Sequence, residues 1–135
     1  MAYAASGCMT PQELRDRTDR FSVDIINFCR GELPADTLKL RILTQLQDAG
    51  TSTASNYRAA CRAQSRAAFV AKLSIALEEA DECVGWLNNL AEAKLAPVAR
   101  LAPLQQEASE LVAILSASRK TASGRRRPPQ SPNHK

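Results

Sequence analysis

The sequence predicts an all-α protein: an antiparallel, up-down-up-down four-helix bundle followed by a disordered basic C-terminal tail. Three observations carry that expectation. Apolar side chains recur at alternating steps of three and four in four separate segments, which is the period of one helical face. No segment alternates apolar and polar residues with period two, as a half-buried strand would. Aromatic residues make up only 4% of the chain and alanine is frequent, a composition that favours helix over sheet. A chain of 135 residues can bury roughly 65–70% of its unfolded surface in one domain, so the four stripes can share one core.

The expected division is a flexible lead-in over residues 1–10, the bundle over 11–120 and the tail over 121–135. The first helix is expected from Pro11 to Arg30, with Leu14, Thr18, Phe21, Ile25 and Phe28 on one face. Thr10 before Pro11 suits a cap with proline in the first turn, and Gly31 suits a stop. After Leu33 and Pro34 a second helix carries Leu38, Ile42, Leu46, Ala49 and Thr53 on one stripe. Leu43, Gly50, Ala54, Tyr57 and Cys61 form the stripe beside it. In the third helix Phe69, Leu73, Ala76, Ala80, Cys83, Leu87 and Leu90 keep the spacing without interruption, and Val70, Leu77, Val84 and Ala91 recur every seven residues as a second seam. Ser65 is its natural N-cap, and its end is expected near Ala93. The fourth helix carries Leu104, Ala108, Leu111, Leu115 and Ser118. Pro97 suits its first turn; Pro103, with no N–H to donate, should kink it or mark its true start.

The stretch GTSTAS, residues 50–55, places small side chains on the second helix at a propensity cost of a few tenths of a kcal/mol each, near 1 for Gly50. Close approach of another helix is the expected compensation, either inside the bundle or against another subunit. Ser and Thr hydroxyls there can bond the carbonyl one turn back. A loop splitting the helix is the alternative. Gly50, Ser52, Thr53, Ala54 and Tyr57 are therefore candidate helix-packing or oligomer-packing residues, and Trp86 joins them as a candidate anchor.

Charge is uneven. Residues 1–118 hold 12 Lys plus Arg against 14 Asp plus Glu, whereas residues 119–135 hold six basic residues and no acid. The end of the chain, GRRRPPQSPNHK, offers nothing to bury and is expected to be disordered. Arg125, Arg126 and Arg127 are candidates for contact with a polyanion. Arg58, Arg62 and Arg66 step by four and, if one helix continues through them, form a basic ridge suited to phosphate. A solvated face, or pairing with carboxylates of the third helix, is the competing reading. Glu78, Glu79, Asp81 and Glu82 crowd two turns, so a compensating cation is expected.

The residues that could support catalysis are sparse. The sole histidine is His134, so neither Ser nor Cys has a plausible base, and the Glu-x-x-His of a bundle di-metal site is missing. No Gly-rich phosphate loop occurs. No enzyme, cofactor, metal or small-molecule substrate is therefore expected. Cys8, Cys29, Cys61 and Cys83 form no C-x-x-C pair; the last three are expected to be buried as small apolar side chains and Cys8 to be a free thiol. No apolar run approaches the ~20 residues of a membrane span, and MAYAASGCMT lacks the regions of a signal peptide; the expectation is a cytoplasmic protein without a membrane partner.

The run QLQDAGTSTASNYRAACRAQSRAAFVAKLSIALEEADECVGWL, with the later LAPLQQEASELVAIL, closely resembles the four-helix-bundle proteins encoded within 23S rRNA intervening sequences. The resemblance covers roughly residues 13–120. It implies a bundle that assembles as a ring-like homopentamer. It further implies kinship with the accessory proteins of diversity-generating retroelements, which partner a reverse transcriptase and bind nucleic acid. The partners it suggests are thus further copies of the chain, RNA or DNA, and a nucleic-acid-processing protein. The chain departs from the family pattern at Asp48 and Ala49, where Arg-Ser is usual, and at Ala59 and Ala68, where acids are usual. On these grounds the leading reading is a non-enzymatic oligomeric adaptor that contacts RNA or DNA through basic elements. A protein-interaction scaffold with no nucleic-acid role is the alternative.

Overall fold

The computed structural model describes residues 9–124. Four helices follow one another: α1 (Pro11–Gly31), α2 (Thr37–Cys61), α3 (Arg66–Glu92) and α4 (Val98–Ser123). No strand occurs among the described residues. Short connections make successive helices antiparallel, and α4 returns to touch α1, most thinly of the four neighbouring pairs.

Local chemistry sets the helix starts. Thr10 and Glu13 form a reciprocal capping box ahead of α1, the Glu13 N–H donating to Thr10 Oγ1 (3.1 Å) and the Thr10 N–H to Glu13 Oε2 (2.9 Å). The Asp36 carboxylate caps α2 by accepting from the Lys39 N–H at 2.8 Å. Ser65 caps α3 by accepting from the Ala68 N–H at 3.1 Å. Each bond satisfies an amide that has no partner within its own helix. At the end of α3 the chain turns through Lys94 at φ 56°. There the Lys94 N–H donates to Ala91 O at 3.1 Å and the Leu95 N–H to Leu90 O at 2.9 Å, the paired bonds of a Schellman turn.

α4 begins at Val98 with Pro97 as its N-cap, and Pro103 lies inside it. Pro103 therefore does not mark the start; it leaves the Ala99 carbonyl without its usual helical donor. The helix continues to Ser123, with Ala122 fully buried. The bundle thus extends beyond the expected boundary at 120, and Arg119 and Lys120 are helical residues. The expected disorder of the tail concerns residues 125–135, which lie outside the described part, as do the lead-in residues 1–8.

The core is the set of stripes laid together: Phe21 and Ile25 of α1, Leu46 of α2, Leu73 and Leu87 of α3, and Leu111 and Leu115 of α4 are essentially inaccessible. Leu38 is the exception. Expected on the buried stripe of α2, it is 69% exposed in the first turn of that helix.

The two ends of the bundle differ. Where α1 ends and α2 and α4 begin, the Glu32 carboxylate accepts from Lys39 Nζ at 3.0 Å and from the Arg100 guanidinium. Arg100 also stacks 5.2 Å from the centre of the Phe28 ring. Farther along, Arg17 of α1 bonds Glu107 and Glu110 of α4, so charged side chains tie the seam where helix packing is thinnest. At the opposite end, where α1 and α3 begin and α2 and α4 finish, the four helix tips enclose a cavity.

Candidate functional site

The small-residue stretch is helical throughout and lies in α2, so no loop divides the helix there. Gly50 faces α1: a Cβ built on it would stand 3.0–3.2 Å from three carbons of Ile25, closer than ordinary packing allows. Thr53, fully buried, donates to Ala49 O at 2.8 Å. Thr51 and Ser55 bond back to carbonyls of the preceding turn as well. Close approach inside one bundle thus offsets the helix cost at Gly50 and Thr53. Ala54 and Tyr57 are buried too, whereas Ser52 is half-buried and Ser55 exposed.

The second seam of α3 behaves differently. Val70, Leu77, Val84 and Ala91 are all only half-buried. Leu77, Val84, Ala91 and Trp86 lean on the core without being enclosed by it. Val70, Leu77, Val84 and Ala91 form an apolar row at a seven-residue repeat beside the fully buried one, the pattern a further helix could pack against.

The arginine ridge does not form. α2 ends at Cys61, and Arg62 sits at its C-cap with φ −98° and ψ 0°. Ser65 then adopts an extended conformation to cap α3, so the chain reverses between Arg62 and Arg66 and the step of four has no helix to act on. The side chains have separate tasks. Arg58 pairs with Asp19 of α1 at 2.7 Å. Arg66 donates Nε to Ala122 O and Nη2 to Gly124 O, the latter at 2.8 Å, and so satisfies carbonyls at the end of α4 that lack helical donors. Arg62 remains exposed at the turn. Arg125, Arg126 and Arg127 lie outside the described residues.

Glu78, Glu79, Asp81 and Glu82 take no part in the ion pairs found among the described residues, so the expected compensating cation is not supplied there. Partial burial raises the Glu79 pKa above the usual carboxylate value, and the charges of Glu82, Glu78 and Asp48 push the same way. No group of three or more His, Cys, Asp and Glu among the described residues is arranged to hold a metal. Burial also pushes the Cys29 thiol up to about 11 and the Cys83 thiol up to about 12, which leaves both protonated and unreactive at neutral pH. Cys61 is half-buried, and all three are free thiols.

The model of the 23S rRNA-intervening sequence protein family matches residues 12–117. The chain belongs to that family. The match spans all four helices and stops short of Arg125. Among solved structures, this family member is similar to a protein of unknown function from the S23 ribosomal protein family of Bacteroides thetaiotaomicron. The two share 30% identity with a TM-score of 0.73, covering 82% of this chain and 97% of the other. No curated protein matches. Among the described residues no helix is long and apolar enough to cross a membrane.

Proposed function

We propose that the protein is a non-catalytic adaptor: a bundle that assembles into a homo-oligomer, a pentamer by analogy with its family, and presents a basic C-terminal segment to RNA or DNA. The observation that carries the reading is the half-buried row Val70, Leu77, Val84 and Ala91 on α3; Trp86, also half-buried, lies on the other flank of the buried stripe. Apolar side chains that lean on a finished core yet stay accessible gain most by docking against another copy. The nucleic-acid half rests on Arg125, Arg126 and Arg127, since Arg58 and Arg66 are engaged within the bundle and Arg62 alone is no patch. That engagement favours the scaffold alternative for the folded part.

Light scattering of the full chain at micromolar concentration should report a discrete oligomer, and Leu77→Glu with Val84→Glu should reduce it to monomer without loss of helicity; a wild-type monomer would end the assembly claim. Binding of RNA and DNA should be compared between the full chain and a truncation after Gly124, which spares α4 and its C-cap. Binding that weakens steeply with salt and disappears on truncation supports the tail. No binding by either protein at low salt leaves the scaffold.

A further inference from the structure

The cavity at the open end of the bundle has a volume of about 490 Å³ and draws residues from all four helices, among them Arg15 of α1, Tyr57 and Cys61 of α2, Arg66 and Phe69 of α3, and Ser118 of α4. Its walls are of two kinds. Tyr57, 3% exposed, and half-buried Phe69 give it an apolar aromatic side. Arg15 and Arg66 give it two guanidinium groups, and no Asp or Glu lines it.

Among the described residues neither guanidinium forms an ion pair. Arg15, among those residues, bonds the neutral amide oxygen of Gln12, and Arg66 bonds two backbone carbonyls. The carboxylates on the same turns of α1 direct hydrogen bonds elsewhere, Glu13 accepting from the Thr10 N–H and Asp16 from the Gln12 amide, and neither forms an ion pair with Arg15. Residues 1–8 and 125–135 contain no Asp or Glu, so those segments bring no acidic side chain to the site. Two cations facing a partly enclosed, acid-free space favour an anion, because low-dielectric walls strengthen the attraction relative to water. The volume falls within the ~300–1,000 Å³ typical of small-molecule sites, which pair apolar walls with a few oriented polar groups.

We propose that this cavity binds a small amphipathic organic anion, its carboxylate or phosphate held on the arginine side and its aromatic or aliphatic body lodged on the apolar side. The site lies at the tips of the helices and does not depend on the assembly proposed above. Its polarity distinguishes it from a nucleic-acid surface, which would be an open basic track with successive stacking rings.

The test uses the full chain with 8-anilinonaphthalene-1-sulfonate, an aromatic anion whose fluorescence rises on binding, and the uncharged N-phenyl-1-naphthylamine as its neutral counterpart. One sulfonate probe should bind per chain. Arg15→Gln should weaken it at least tenfold while the neutral probe is unaffected, and Ala63→Trp, which fills the cavity, should abolish both. Decanoate and 1-naphthyl phosphate then serve as competitors, and the stronger one identifies carboxylate or phosphate as the preferred acid. In a Cys8→Ser background, saturating probe should slow alkylation of Cys61 at least fivefold, placing the ligand in the cavity rather than on the seam of α3. Absence of binding, binding indifferent to Arg15→Gln, or binding that leaves Cys61 unprotected would each overturn the proposal.

Discussion

At the scale of single residues, two positions show how strictly backbone and packing constrain side-chain choice. Lys94 occupies the left-handed region at φ 56°, where a Cβ crowds the following carbonyl at a cost of about 1–2 kcal/mol. Lys94→Gly should raise stability by about 0.5–1 kcal/mol once the greater freedom of glycine in the unfolded chain is counted. A urea midpoint that rises with unchanged slope is the expected signature. Gly50 is the opposite case. A Cβ there already meets Ile25 at 3.0–3.2 Å, so Gly50→Leu should lose about 1–3 kcal/mol through overpacking. Ala54→Leu should lose a similar amount one turn farther along the same stripe. Unchanged denaturation curves for both would show that α1 and α3 can move aside.

At the scale of elements, the acidic stretch of α3 makes a pH-dependent contribution. The Glu79 pKa is raised in the folded chain, so between the unfolded and folded values the native state binds more protons than the unfolded one, and stability falls as pH rises through that window. Glu79→Gln should therefore raise the melting temperature at pH 7, and the gain should shrink as the solution is taken below about 4.5, the ordinary value of the group; thermal melts at the two extremes check it. The helices themselves were legible because long stripes such as Phe69 to Leu90 need one physical explanation only. The break at 62–65 was harder to see. Arg58, Arg62 and Arg66 satisfy a helical period whether or not a helix connects them, and neither Gly nor Pro punctuates the turn. Ser65, expected as a cap, was the available signal against the ridge. Leu38 misled for a related reason: periodicity assigns a face, but whether that face is covered depends on where neighbouring helices end.

At the scale of the whole molecule, Glu32 holds three helices at one end with a side chain only 7% exposed. Glu32→Gln keeps the shape but leaves Lys39 and Arg100 without their anion, and should cost about 1–3 kcal/mol. The same change in an Arg100→Met, Lys39→Met background should cost much less, and chemical denaturation of the four proteins measures the difference. The cavity opposite could not be read from the sequence, because its walls come from four helix tips separated by as much as the length of the bundle domain; only folding brings Arg15 beside Ser118. This contrast between ends has a dynamic consequence. Backbone amides should trade protium for deuterium along an axial gradient, soonest in the turn around Ala63 and last near Leu46, Leu87 and Leu111, so that the rod frays from its hollow tip while its ion-stapled tip stays shut.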